Sequence, residues 1–282
     1  VQGTTECIPH LVGLLADDAL GHLARSALEG IPGPTVDSAF RQALDELRGP
    51  FLIGVINSIG KRRDANAIPA LAGFLRGPEP DSSAAAAVAL GMIGTDSAAE
   101  ALVQARPSAG DADLAVWCDA TLTCAQRLMA SDSRAKGGEL FDLLRDAETV
   151  SPAVREAALR GAIVARGSAG VPILLEHLGG DDPGLARAAI WVAYHELPGS
   201  DVTRLLAEAL PGLAREQRLW LAGALCRRAD PTALPALLRC VEQGDAELRA
   251  TVLRMLPYFG ARATSALAAA IGAADQSVSR AA

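Results

Sequence analysis

Aromatic residues are scarce in this sequence. Phenylalanine, tryptophan and tyrosine make up 4% of 282 residues, although 50% of the residues are hydrophobic. The apolar content is therefore mainly alanine, leucine and valine, which is typical of packed helices rather than of sheets. An excess of positive charge is also absent, since the formal net charge is −7. A nucleic-acid sleeve needs a strongly basic face, so we expect no nucleic-acid partner.

The five cysteines have no metal-binding or redox spacing. Neither CxxC nor CxxCH occurs, which argues against a zinc ribbon, a redox motif and covalent haem. Cys118 and Cys124 fall six residues apart in what we interpret as one helix, and about 9 Å between their Cα atoms is too far for a disulfide. Cys226 and Cys240 fall on consecutive helices and could pair, but buried free thiols are the favoured interpretation.

Catalytic and metal-binding motifs are missing as well. The sequence has no GxSxG, HExxH or GxGxxG. GVINSIGKR (54–62) resembles a phosphate-binding loop, but it has one residue too many between its glycines and Arg62 where serine or threonine is needed. The four histidines are His10, His22, His177 and His195. Third and fourth ligands at a suitable spacing are lacking, so we predict capping or surface histidines, no metal and no cofactor.

Long apolar runs are absent too. No run approaches about 18 uninterrupted apolar residues, so we expect no membrane span. The chain begins at Val1 without an initiator methionine, and DQSVSRAA (275–282) ends inside a predicted helix. We interpret both ends as truncated and expect a longer protein.

A proline-led apolar octet recurs along the chain. IPALAGFL (68–75) returns as IPHLVGLL (8–15), VPILLEHL (171–178) and LPALLRCV (234–241). The spacings of 60, 103 and 63 residues divide into units of about 30 to 34 residues. Five degenerate copies fill the gaps, beginning at Phe40, Ala101, Glu139, Arg204 and Thr264. Nine units with this period predict a helical solenoid.

Each unit is predicted to contain two helices. Asp64 and Asp230 precede the proline by five residues and are predicted to cap the first helix. The proline, inside that helix, is expected to bend it. The second helix is clearest in 248–259, where apolar residues recur at i, i+4, i+7, i+8 and i+11. Similar stripes begin at Leu20, Leu52 and Ala86, and Gly60, Gly94 and Gly260 are predicted helix ends.

The segments DANAIPALAGFL (64–75) and AELRATVLRMLPYFG (246–260) resemble the HEAT-repeat family in its short bacterial form. The resemblance covers essentially the whole chain. It implies an all-α, right-handed superhelical solenoid of about nine HEAT-type helix pairs, with 1–282 as a single domain. Segments 15–44 and 52–75 resemble HEAT proteins of planctomycetes, which are often parts of larger exported proteins. We leave the compartment open, with export favoured over the cytosol.

One part of the chain departs from the repeat. Residues 124–146 lack the proline and resemble a tetratricopeptide helix pair. We expect an irregular, TPR-like joint near 111–150.

Trp117, Trp191 and Trp220 all fall on second helices, which line the concave face of such solenoids. Trp191 falls beside the predicted apolar stripe of the sixth unit, and Arg187 lies one turn earlier on the same side. Tryptophan and arginine are frequent at interface hot spots. We predict partner binding by Arg187, Trp191, Trp220 and Trp117. The alternative is that each tryptophan fills a gap in an alanine-rich core.

The turn GKRRD (60–64) brings Lys61, Arg62 and Arg63 together. A solvated turn whose cations complete a helix C-terminus is one interpretation. The other is a ridge that binds an anionic partner.

The favoured function is a non-enzymatic scaffold that binds another protein on its concave face. One alternative is an enzyme: bilin lyases share a related repeat, and a pocket built across several repeats would escape a motif search. A structural spacer within a larger protein is the other alternative.

Overall fold

The computed structural model describes residues 5–108 and 113–264. These contain the sixteen α-helices given below, further helical residues at 261–264, and no strand. This confirms the predicted all-α class. The chain divides into two compact units, Val1–Ala158 and Leu159–Ala282. The organisation of 1–282 as a single solenoid stays a prediction.

Helices α1 to α9 belong to the first unit, and α10 contains the boundary between the units. Their bounds are α1 Ile8–Gly13, α2 Gly21–Glu29, α3 Pro34–Glu46, α4 Gly49–Arg62, α5 Ile68–Leu75, α6 Pro80–Ile93, α7 Asp96–Gln104, α8 Leu114–Met129, α9 Arg134–Arg145 and α10 Pro152–Arg166. The helices of the second unit are α11 Val171–Leu178, α12 Pro183–His195, α13 Ser200–Ala209, α14 Arg215–Arg228, α15 Leu234–Gln243 and α16 Ala246–Met255.

The helices pack as hairpins, and within each unit each hairpin stacks on the next. In the first unit α3 packs on α4 and α5 on α6, while the second helices α2, α4, α6 and α8 pack in sequence. In the second unit α11 packs on α12 and α15 on α16, while α12, α14 and α16 pack in sequence. Neighbouring hairpins thus cover each other's apolar stripes, as in a helical repeat. Eight of the nine predicted pairs lie within the described residues, and the ninth falls almost entirely outside them.

The repeated proline stands at the start of its α-helix rather than inside it. In α5, α11 and α15 it is the second helical residue and follows a 3-10 turn. The predicted position inside the helix was therefore wrong: at its second residue the proline removes no hydrogen bond of the α-helix, which was the reason given for a bend. The predicted caps are confirmed: side chains of Asp64 and Asp230 accept hydrogen bonds from the backbone N–H groups of Asn66 (3.1 Å) and Thr232 (2.9 Å).

The predicted apolar stripes of the second helices are largely buried. Those beginning at Leu52, Ala86 and Leu248 face the core. Leu20 is exposed, contrary to expectation, because it precedes α2 and its backbone N–H binds the Asp17 carboxylate at 2.8 Å. The buried part of that stripe begins at Ala24.

Gly60 does not end its helix as predicted. Gly94 and Gly260 do adopt the expected positive φ, at 65° and 60°. Gly60 lies inside α4, where an added Cβ would lie 2.8 Å from the Cα of Ala89 in α6. The glycine therefore permits close packing of α4 on α6, and Arg63 takes the left-handed position with φ 56°.

The region of the predicted irregular joint contains α8 and α9. Helix α9 begins at Arg134 without the 3-10 turn or the proline of α5, α11 and α15. An added Cβ at Gly137 would lie 2.8 Å from the carbonyl oxygen of Ala125, so α9 packs closely on α8. The TPR-like character stays a prediction, and residues 109–112 lie outside the described part.

The four buried cysteines, Cys118, Cys124, Cys226 and Cys240, form no disulfide, in agreement with the favoured interpretation of buried free thiols. Burial raises the pKa of the Cys124 thiol to about 12. Burial, with a smaller contribution from Cys240, raises the pKa of Cys226 to about 12. These thiols are therefore neutral components of the core.

Within the described residues, one helical stretch, Pro152–Leu178, is long and apolar enough to cross a membrane by length and composition alone. A core helix of a soluble protein passes the same test. The stretch joins α10 and α11 through a 3-10 turn, and its Leu159, Ile163 and Leu174 lie in the buried core of the second unit. The absence of a membrane span stays a prediction.

Candidate interaction surface

Arg62, one of the three predicted ridge residues, points into the protein. Its guanidinium donates hydrogen bonds to the carbonyl oxygens of Ile31 (2.8 Å) and Gly33 (3.0 Å) and to the Asp37 carboxylate (2.5 Å). Only 12% of its side chain is exposed. The predicted role of Arg62 toward an anionic partner was therefore wrong, because its donors already bind the turn between α2 and α3.

The other two ridge residues, Lys61 and Arg63, are exposed. The Lys61 ammonium lies 3.2 Å from a carboxylate oxygen of Glu29 and is paired within the protein. Arg63 makes no ion pair with any residue of the described ranges. The ridge stays a prediction, with Arg63 as its unpaired cation.

Arg228 repeats the contacts of Arg62 in the second unit. It donates to the carbonyl oxygens of Leu197 (2.6 Å) and Gly199 (3.0 Å) and to the hydroxyl oxygen of Thr203 (3.0 Å). Burial lowers the pKa of this guanidinium, although nearby carboxylates oppose the shift. The matching contacts set a register: each residue of 21–64 corresponds to the residue 166 positions later in 187–230.

Trp117 lies in the core. It is 1% exposed, and its indole N–H donates a hydrogen bond of 2.7 Å to the carbonyl oxygen of Leu102. The partner-binding role predicted for Trp117 was therefore wrong, because the ring packs between α7 and α8. Its place in the helical stripe, four residues before Thr121 and seven before Cys124, was the signal that could have shown this.

Trp191 and Trp220 are on the surface of the second unit. They are 43% and 40% exposed, on α12 and α14, which pack against each other. Trp191 lies beside the buried stripe of α12, as expected from the pattern. Arg187 is exposed one turn earlier on the same helix.

Neighbouring side chains hold the Trp191 ring. Its centroid lies 4.0 Å from that of His195 and 5.7 Å from that of Tyr194. Its indole N–H donates to a carboxylate oxygen of Glu196 at 3.3 Å. Arg160 lies 6.0 Å from the ring centroid and forms an ion pair with the same carboxylate. These contacts fix the orientation of the Trp191 ring.

Arg227 extends this surface along α14. Its guanidinium lies 5.2 Å from the centroid of the Tyr194 ring and donates to the Tyr194 hydroxyl at 3.5 Å. We call the whole set the aromatic face: Arg160, Arg187, Trp191, Tyr194, His195, Trp220 and Arg227. The spacing along α12 could have indicated His195, but Arg160 and Arg227 are on other helices and emerge only from the fold.

The corresponding surface of the first unit is an ion network. By the register, Glu29 is equivalent to His195, and Lys61 is equivalent to Arg227. The Glu29 carboxylate accepts hydrogen bonds from Arg25 (2.6 Å), Ser58 (2.6 Å) and Lys61 (3.2 Å). Burial acts to raise the pKa of Glu29, but the hydrogen bonds from Ser58 and Lys61 and the nearby cations outweigh it and lower the pKa.

Crevices occur where hairpins stack. One of about 510 Å³ in the first unit is lined in part by Leu44, Leu52 and Phe74. Its counterpart in the second unit, of about 190 Å³, is lined by the equivalent residues Leu210, Arg218 and Cys240. These crevices are therefore features of the repeat. Across 5–108 and 113–264, no three His, Cys, Asp or Glu side chains are grouped for metal binding.

No protein-family model matches the chain, and no curated protein matches it. Solved structures do match, at low identity. Human deoxyhypusine hydroxylase in complex with glycerol is 21% identical, over 90% of this chain and 96% of that one, with a TM-score of 0.39. Kap121p is 12% identical over 94% of this chain and 35% of its own, with a TM-score of 0.47. The CpcE–CpcF complex of phycocyanin lyase from Nostoc is 18% identical over 100% and 94%, with a TM-score of 0.32. The order and packing of the helices show a helical-repeat protein. Its membership of the HEAT family stays a prediction.

Proposed function

We propose that this protein is a non-enzymatic scaffold that binds another protein through the aromatic face, with Trp191 and Trp220 as apolar anchors. The observation that carries the proposal is the exposure of two tryptophans on adjacent packed helices, 43% and 40%, in a chain with three tryptophans. A half-exposed indole leaves a large apolar area in water, and burying it is a main source of binding energy at interfaces.

The packing around Trp191 supports the same proposal. His195, Tyr194 and Arg160 already orient the ring, so little side-chain freedom remains to be lost on binding. The helices beneath are held by buried alanine, valine and leucine side chains. A rigid surface of this kind suits recognition of a preformed or extended partner segment.

The test is an affinity capture with the full chain from lysate and envelope fractions of its source. The Arg187→Glu, Trp191→Ala double variant should lose a stoichiometric partner while keeping its helicity and unfolding cooperatively, with the free energy of unfolding lowered by about 1 to 2 kcal/mol because the contacts of Trp191 are lost. Leu23→Ala is the matched control, because Leu23 is 63% exposed on α2 of the first unit. The proposal fails if the double variant unfolds, or if it retains every protein that the wild type retains.

A further inference from the structure

A carboxylate present on the first unit is missing from the aromatic face. In the first unit Lys61 pairs with Glu29 at 3.2 Å. In the second unit Arg227 replaces Lys61 and His195 replaces Glu29, as the register set by Arg228 requires. Within the described residues Arg227 makes no ion pair, and its guanidinium contacts the Tyr194 ring and hydroxyl instead. A cation at this repeat position therefore lacks the anion that its counterpart has.

Glu196 contacts this face, and its carboxylate is already engaged. Glu196 pairs with Arg160 and accepts the indole N–H of Trp191. Arg160, Arg187 and Arg227 are all exposed here, although the whole chain carries a net charge of −7. The face therefore combines exposed aromatic rings with Arg227, a cation that has no ion pair among the described residues.

We infer that the partner segment that binds the aromatic face is an acidic peptide segment, whose carboxylate pairs with Arg227 at the position that Glu29 fills in the first unit. This inference rests on the proposed function and adds the chemistry of the bound segment. An apolar side chain of the same segment would cover the exposed faces of Trp191 and Trp220. Arginine binds carboxylates with planar, charge-assisted hydrogen bonds, which gives such a segment its orientation.

A single-stranded nucleic acid also combines negative charge with stacking surfaces. The net charge of −7 disfavours a long polyanion, because repulsion extends beyond the local patch, whereas a short peptide meets only the face itself. The peptide is therefore the occupant that the charges favour.

The experiment is selection of a displayed library of random twelve-residue peptides on the immobilised full chain. We expect the enriched peptides to contain aspartate or glutamate next to aromatic or aliphatic residues. Synthetic copies should bind at least tenfold more weakly when their acids are replaced by the matching amides. A fluorescent twenty-residue oligothymidine is measured in parallel.

The discriminating variant is His195→Glu, which restores a carboxylate opposite Arg227. It should weaken the acidic peptides at least tenfold, because Arg227 is then paired within the protein. His22→Glu on α2 is the matched control, since it makes the same change of charge on the first unit, and it should leave binding within twofold. Arg227→Gln should remove the preference for acids over amides.

The enriched peptides could bind equally well with acids or amides and still lose binding in the Trp191→Ala variant. That result would overturn the inference and leave the proposed function unaffected. Equal binding by wild type and His195→Glu would also overturn the inference. If the oligothymidine binds tightly and Trp191→Ala abolishes that binding, the ligand of the aromatic face is a nucleic acid and not a peptide. The absence of any enriched peptide would count against both the inference and the proposed function.

Discussion

The two units share one turn and differ in the surface beside it. At the turn, an arginine at the end of the second helix binds the carbonyl oxygens of the preceding turn, a left-handed residue follows it, and an aspartate caps the next 3-10 turn. The matching residues are Arg62 and Arg228, Arg63 and Ala229, and Asp64 and Asp230. These contacts hold consecutive hairpins together in each unit.

The surface beside the turn has diverged. The first unit surrounds the Glu29 carboxylate with three donors and satisfies its own charges. The second unit has His195 at that position and exposes Trp191 and Trp220 nearby. This change from an internally paired charge to exposed aromatic side chains is the difference on which the proposed binding role of the second unit rests.

The strongest test of the shared turn is removal of its arginine. Arg228→Ala and Arg62→Ala should each lower the free energy of unfolding by about 3 kcal/mol, because several carbonyl oxygens lose a charged donor. Urea unfolding followed by circular dichroism measures the change. Arg227→Ala, which removes an exposed neighbour, should stay within about 0.5 kcal/mol. A small effect of Arg228→Ala would mean that the turn does not need its arginine.

Two glycines in second helices, one in each unit, differ in how closely a neighbouring helix approaches them. Gly60→Ala should cost about 2 kcal/mol, because the added methyl group lies 2.8 Å from the Cα of Ala89 and forces α4 from α6. Gly223→Ala in α14 meets nothing within 4 Å and should instead stabilise by about 0.5 to 1 kcal/mol through helix propensity. Thermal unfolding of both variants gives the comparison. Equal shifts would show that α4 can move away from α6 at little cost.

The sequence predicted the repeat and its buried stripes because both follow from the spacing of apolar residues. It also predicted the caps at Asp64 and Asp230, whose chemistry is local. The inward arginine was missed, although Arg-Arg-Asp at 62–64 and Arg-Arg-Ala-Asp at 227–230 both precede the proline-led octet. Aligned copies would have shown that one arginine recurs in register with the turn.

The tryptophans show where periodicity helps and where it stops. The phase of the stripe distinguishes buried Trp117 from exposed Trp191. The contacts of Arg160 and Arg227 with the aromatic rings depend on helices distant in sequence, so no local pattern contains them. The role of Gly60 was missed because glycine is favoured both at a helix end and at a close approach between helices, and the sequence alone does not distinguish the two.

The ion network of the first unit should depend on pH. Glu29→Gln should cost about 1 kcal/mol at neutral pH, since Arg25 and Lys61 lose their carboxylate. The folded pKa of Glu29 is lowered, so its contribution is complete above the ordinary value of 4.5 and is lost as the pH falls through the folded value. The wild type and the variant should therefore converge in acid.

Urea unfolding at neutral pH and near pH 3 measures this convergence. His195→Gln is the matched control in the second unit, because it removes no carboxylate, and it should stay within about 0.5 kcal/mol at neutral pH. A difference between wild type and Glu29→Gln that persists unchanged in acid would show that the carboxylate is not the stabilising group.

The smallest expected effect concerns the left-handed residue of the shared turn. Ala229 has φ 52°, a conformation that costs a side chain with a Cβ about 1 kcal/mol relative to glycine. Ala229→Gly should therefore raise the free energy of unfolding by about 0.5 kcal/mol, after the greater freedom of glycine in the unfolded chain is subtracted. Arg63→Gly should give the same gain, because Arg63 occupies the equivalent position with φ 56°. Thermal unfolding of the two variants shows whether the turns are equivalent in energy as well as in geometry. If Ala229→Gly raises the stability and Arg63→Gly lowers it, the Arg63 side chain stabilises the first unit through a contact that the second unit lacks.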